Sequence, residues 1–116
     1  MTLPQEGCLL RIFIGESDKH SGKPLYEWIV VQARANGLAG ATVIRGMMGY
    51  GPTSRIIHTF KIERLSEDLP VIIEIVDTRE KLEGFLGFIE AEVDAGLLAT
   101  MERAEIRLYR TQKQNR

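Results

Sequence analysis

The run Pro70-Val71-Ile72-Ile73-Glu74-Ile75-Val76 constrains this chain more than any other stretch. Five of the six residues after the proline are β-branched aliphatics, which fit a pleated strand and lose χ1 freedom in a helix. Side chains alternate across a strand, so the run offers apolar groups to both sides of a sheet. Cys8 to Gly15 is a second run of the same kind, with Leu9, Leu10, Ile12, Phe13 and Ile14 on both faces and Arg11 as its one charge. Two strands that need cover on both sides predict a layered domain.

The remaining elements follow from spacing and punctuation. After a polar loop over Gly15 to Lys23, Pro24 suits the first position of a helix, and Leu25, Trp28, Ile29 and Ala33 recur at helical spacing until Asn36-Gly37 stops it. Ala41 to Arg45 reads as a second strand, Ser54 to Ile62 as an extended arm and Glu63 to Leu69 as a polar connection. Asp77 or Thr78 can cap a second helix carrying Leu82, Phe85, Leu86, Ile89 and Val93 on one stripe, with Gly96 ending it. Ala104 to Tyr109 is the predicted last strand, and Thr111 to Arg116 a polar tail. The order β-α-β, excursion, β-α-β predicts an α+β ferredoxin-like βαββαβ sandwich: an antiparallel sheet with two helices on one face. At 116 residues the chain has room for one domain, with its core over about 7–110.

Alternation also predicts what lies on each side of the sheet. Leu10, Ile12, Ile14, Val71, Ile73 and Ile75 turn toward the helices, and Leu9, Arg11, Phe13, Ile72, Glu74, Val76, Glu105, Arg107 and Tyr109 turn away. The second set is too apolar to face water, so the sheet is expected to bind further copies of itself. Arg11, Glu74, Glu105 and Arg107 supply two charges of each sign for pairing across strands or subunits.

Composition excludes several classes. Fifteen basic residues against sixteen acidic ones, with no polybasic run, argue against a nucleic-acid partner. The single cysteine, Cys8, permits no internal disulfide, and no apolar window is long enough to insert in a membrane or to direct export. The expected setting is the cytoplasm.

Gly40, Gly46, Gly49 and Gly51 crowd twelve positions before Pro52. Such a loop is either a tight reversal or a ligand cradle. Backbone N–H groups around Gly49, Tyr50 and Gly51 could form an anion-binding nest, with Arg45 and Arg55 on either side to meet a phosphate or carboxylate. Lys23, at a helix N-terminus, also favours a nearby anion. Gly15 to Lys23 is no phosphate-binding P-loop, because six residues rather than four separate its glycines and Pro24 replaces the hydroxyl residue.

Other reactive residue types carry no catalytic arrangement. His20 and His58 stand in separate segments without metal-ligand spacing, although Glu16, Asp18 and His20 could meet a divalent cation opportunistically. Cys8 lacks an adjacent base, Met47-Met48 reads as packing or contact surface, and Glu90, Glu92 and Asp94 read as the wet side of the second helix. No catalytic or metal-ligating residue is assigned, and no enzyme is expected.

Gly15-Glu16, Lys23-Pro24-Leu25-Tyr26-Glu27, Gly40-Ala41-Thr42-Val43, Arg45-Gly46-Met47-Met48-Gly49-Tyr50-Gly51 and Leu69 to Asp77 together resemble the prokaryotic family called domain of unknown function 190, over about residues 7–110. That family is similar to the PII-like proteins, trimeric ferredoxin-like sensors related in shape to the CutA family. The resemblance implies a homotrimer with ligand clefts between subunits, and a long loop between the second and third strands that reaches partner proteins. Gly49-Tyr50-Gly51 stands where PII proteins carry a Gly-aromatic-Gly element at the base of that loop, which makes residues 47–69 the candidate excursion. The glycine- and lysine-rich second phosphate turn of PII proteins has no counterpart in Ala95 to Thr100, which counts against triphosphate binding, and Tyr50 lies at the loop base, so nucleotidylation is not expected.

The expected function is a PII-like signalling protein that binds a small anionic effector and acts through residues 47–69 on a partner protein. Adenine nucleotides are the first effector class to test, and a membrane transporter is one candidate target by analogy. The alternative is a CutA-like structural or divalent-metal-associated trimer without enzymatic activity.

Overall fold

The computed structural model describes residues 3–52 and 68–112. Strand β1 (Glu6–Gly15) leads into a short hairpin, β2 (Lys19–His20) and β3 (Lys23–Pro24), and then helix α1 (Leu25–Ala35). Strand β4 (Thr42–Arg45) precedes the glycine-rich segment; β5 (Pro70–Asp77), α2 (Arg79–Glu92) and β6 (Leu98–Glu105) complete the order. The predicted arm over 54–62 lies outside the described residues.

The four long strands form one sheet in the order β4-β5-β1-β6 with every neighbouring pair antiparallel. Each helix therefore crosses over a strand, α1 over β5 and α2 over β1, and both cover the same face: the ferredoxin-like arrangement expected from the element order.

The side facing the helices matches the alternation. Leu10, Ile12, Ile14, Val71, Ile73 and Ile75 are buried against Leu25, Ile29 and Ala33 of α1 and Leu82, Phe85 and Ile89 of α2. Pro24 precedes α1, and Asn36-Gly37 ends it with Gly37 at φ 76°, where only glycine avoids strain. Thr78 caps α2 by accepting from the Lys81 amide at 3.3 Å.

Two boundaries differ from expectation. Helix α2 ends at Glu92, before Gly96, because Val93 leaves the helix into extended backbone, its amide still bonded to Ile89 O while its side chain stays buried. A β-branched residue loses nothing by extending there. The last strand is Leu98–Glu105, not Ala104–Tyr109. Its register sets Leu98, Thr100, Glu102 and Ala104 opposite Phe13, Arg11, Leu9 and Gly7, while Ala99 and Met101 pack on the core side. Glu105, Arg107 and Tyr109 are thus not the outward row of the sheet. Past β6 the chain bends over Gly7, where an added Cβ would stand 2.5 Å from Ile106 Cδ1. The Ile106 amide donates to Gln5 O at 2.7 Å.

The face away from the helices keeps Leu9, Phe13, Ile72 and Val76 half-buried and Ile44 and Leu98 exposed. Arg11 stands among them with its guanidinium between two carboxylates, Nε donating to Glu74 Oε2 at 2.9 Å and Nη1 to Glu102. Those hydrogen bonds, that of Glu74 foremost, push the Arg11 pKa above its already high ordinary value.

Asp77, at the end of β5, is the one buried charged residue among those described. Its Oδ1 accepts from the Thr78 amide at 2.6 Å and its Oδ2 from the Ala39 amide at 2.9 Å, with Lys81 Nζ 3.8 Å away. Lys81 also donates to Gly37 O at 2.8 Å, so one carboxylate and one ammonium join the end of α1 to the start of α2. Asp77→Ala orphans buried amides and is expected to cost about 2 kcal/mol. The urea midpoint of unfolding should fall accordingly with an unchanged slope; an unshifted midpoint would show that the junction adds nothing.

Candidate functional site

The candidate site gathers where the 47–69 excursion leaves and rejoins the sheet. Gly46 N donates to Pro70 O at 2.7 Å, closing the two feet on each other. A Cβ at Gly46 would lie 2.8 Å from Pro70 Cγ, and one at Gly49, where φ is 149°, would lie 3.3 Å from the same atom. Gly46 is therefore required by close approach to the proline ring, and Gly49 by its positive φ together with a tight contact to the same ring. Gly40 and Gly51 have open space around them.

Both feet are tied to the segment that follows β1. The Glu16 amide donates to Leu69 O at 2.8 Å, and the Ser17 amide and hydroxyl donate to Asp68 Oδ1 at 3.2 and 2.8 Å. Asp18 Oδ2 accepts from the Gly15 amide at 2.9 Å, and its carbonyl accepts from the Leu25 amide at 2.8 Å, which anchors the segment to α1. A Cβ at Gly15 would meet Asp68 Oδ1 at 2.7 Å, so a side chain there would push the Asp68 carboxylate from its place beside Ser17.

Arg45, at the end of β4, reaches this segment. Its Nη2 and Nε donate to a single oxygen, Glu16 Oε2, at 2.6 and 3.2 Å. The Glu16 carboxylate raises the Arg45 pKa beyond its ordinary value. Arg45 thus has an internal acidic partner, which reading the glycine loop alone does not anticipate.

Gly49, Tyr50 and Gly51 line a crevice with Ile14, Gly15, Asp68 and Pro70. Its volume, about 10 Å3, admits about one water molecule. The charged group within it is the Asp68 carboxylate, and neither Arg45 nor Lys23 lines it. Lys23 sits in β3 opposite His20, exposed. Arg55 lies outside the described residues. Of the six expected ligand residues, then, the three loop residues come together, while Arg45 stands nearby on Glu16 and Lys23 belongs to the hairpin.

Glu16, Asp18 and His20 do not converge. Glu16 faces Arg45, Asp18 caps its own turn, and the His20 ring packs on Trp28 with centroids 4.2 Å apart. Trp28 in turn stacks on Phe88 of α2 at 5.9 Å. Among the described residues, no group of three or more His, Cys, Asp or Glu could hold a metal ion, and no helix is long and apolar enough to cross a membrane. Met47, Met48 and Tyr50 project into solvent, with Met47 94% exposed.

The family model of domain of unknown function 190, described as "Uncharacterized ACR", matches residues 7–106. The chain belongs to this family. A UPF0166 protein of Aquifex aeolicus is 41% identical over 98 residues, covering 84% of this chain and 90% of that one. Another from Methanocaldococcus jannaschii is 42% identical over 78 residues, covering 67% and 70%. Among solved structures, "a putative PII-like signaling protein" from Thermus thermophilus superposes with a TM-score of 0.61 over 87% of this chain and 89% of that one, at 18% identity. That likeness establishes a PII-like fold for this member of the family.

The site geometry separates glycines that hold the fold from those that do not. Gly46→Ala should lower stability by about 1–3 kcal/mol through the clash with Pro70. Gly51→Ala, in open space, should stay within about 0.5 kcal/mol of the parent. Thermal unfolding of both variants checks this contrast, and equal losses would contradict the packing account.

Proposed function

We propose that this protein is a PII-like regulatory protein: a single PII-like unit whose copies associate through the open sheet face, bind a small anionic effector at the seams between them, and act on a partner protein through residues 47–69. The observation that carries the reading is the combination of a PII-like fold with an apolar face that the chain's own helices leave uncovered. Leu9, Phe13, Ile72 and Val76 flank the Arg11-Glu74-Glu102 cluster, a pattern suited to self-association because an ion pair within an apolar patch fixes the register of the partners. A trimer is the assembly proposed.

The effector reading rests on Arg45 beside the feet of the excursion and on the exposed Met47, Met48 and Tyr50 that lead into it. Effector contacts at this end of the sheet would favour one conformation of the feet, and the partner would recognise that conformation, so the mechanism is a shift of populations in which no bond is broken. Lys23, Gly49, Gly51 and Arg55 remain the accompanying ligand candidates. Adenine nucleotides are proposed as the first effector class, and the cytoplasm as the setting.

Sedimentation equilibrium should return three chain masses at micromolar concentration, and Phe13→Glu should reduce that to one; a wild-type monomer ends the assembly proposal. In a thermal-shift panel, an adenine nucleotide at about 100 times its Kd should stabilise the assembly by about 2.7 kcal/mol. No response to AMP, ADP or ATP removes adenine nucleotides as the effector class.

A further inference from the structure

The contact between Glu16 and Arg45 bears on how an anion could reach this site. Both donors of the guanidinium edge, Nε and Nη2, converge on Glu16 Oε2 at 3.2 and 2.6 Å. A carboxylate seated on that edge is a chemical stand-in for one face of a phosphate, which arginine binds through the same N–H groups. We propose that Glu16 is a built-in competitor for the anion site at Arg45, so that a phosphate-bearing ligand binds by displacing the Glu16 carboxylate. This rests on the anionic-effector reading above and assigns that site its regulation.

Three features of the contact suit it to that role. First, the backbone that carries the carboxylate is anchored, since the Glu16 amide is bonded to Leu69 O and the neighbouring Ser17 to Asp68, whereas Arg45 is 62% exposed on the solvent side. A ligand can approach the guanidinium while its competitor stays tethered. Second, the guanidinium side of the pair is open to water although the Glu16 side chain is only 23% exposed, and ion pairs reached by solvent shift equilibria by no more than about fivefold. The latch is therefore weak enough for a ligand to open. Third, the competitor is part of the chain, so it lowers the affinity of every anion at Arg45 by the same small factor, and removing it should tighten pyrophosphate and ATP alike.

Displacement also has a structural consequence. Glu16 is bonded to both feet of the excursion, through its side chain to Arg45 and through its amide to Leu69. Moving its carboxylate unties the β4 foot from the segment after β1, while the bond from Gly46 N to Pro70 O and the β4–β5 ladder that ends with Arg45 opposite Val71 still join the feet.

The test is calorimetric titration of the full-length protein with inorganic pyrophosphate and with ATP, for the wild type, Glu16→Gln, Arg45→Ala and the double variant. Glu16→Gln should bind about two- to fivefold more tightly than wild type. Arg45→Ala should bind about tenfold more weakly, and the gain from Glu16→Gln should vanish in the Arg45→Ala background. Glu16→Asp, which keeps the charge but shortens its reach, should show a smaller gain and serves if the glutamine variant does not fold. Equal affinity of Glu16→Gln and wild type, with Arg45→Ala weakened, overturns the competitor and leaves the anion site standing. A gain that persists without Arg45 overturns it too, as a general charge effect. If neither probe binds wild type or any variant, the competitor and the anion site fall together.

Discussion

The antiparallel pairing of β1 with β5 is the interaction on which the rest of the molecule depends. From Cys8 opposite Asp77 to Gly15 opposite Pro70, two strands with apolar groups on both sides lie side by side at the centre of the sheet. Their inward rows need a cover of helices. Their outward rows hold aliphatic and aromatic groups around one arginine and its two carboxylates. A one-residue slip would exchange the rows and turn the buried Ile12 and Ile73 outward, so the register is held by the core itself. The same register brings Gly15 and Pro70 together, and with them the start of the hairpin segment and the returning foot of the excursion.

The site is thus a by-product of strand ends. Arg45, Glu16, Asp68 and Pro70 are spread along the chain and meet because β4 and β1 finish, and β5 begins, at the same end of the sheet. Asp77 does the equivalent work at the opposite end of β5, where it joins the turn after α1 to the first turn of α2. One end of β5 is locked by a buried carboxylate with three partners. The other is held by exposed pairs and backbone bonds, which water and ions can exchange. Resistance to change at one end and looser ties at the other are consistent with the regulatory role proposed above.

Most of the architecture was legible in the residues, because it rests on local rules. The β-branched run of β5, the Pro24 start and Gly37 stop of α1, and the apolar stripe of α2 each point to one structure. The last strand was not legible, since the alternating Glu105-Ile106-Arg107-Leu108-Tyr109 looks more strand-like than Leu98–Glu105. What distinguishes them is the pairing of Leu98–Glu105 with β1, which leaves Ile106 packed on Gly7, and that pairing is not readable from alternation alone. The site divides in the same way. Gly49 and Gly51 signal a special turn, but the pairing of Arg45 with a residue 29 positions away and of Ser17 with one 51 away follows from topology. The glycine spacing also carried two meanings, and at Gly46 and Gly49 contact with Pro70 supplies one of them.

The hairpin of β2 and β3 has a further property through its stacking. Ser21 and Gly22 both take positive φ, as a type I′ reversal requires, and the reversal delivers His20 onto Trp28. Trp28 is the chain's only indole, held between an imidazole on one strand and a phenyl ring on α2. Its fluorescence is therefore a native optical probe of whether the hairpin is seated, reporting from the same stretch of chain that carries Glu16 without any label being attached.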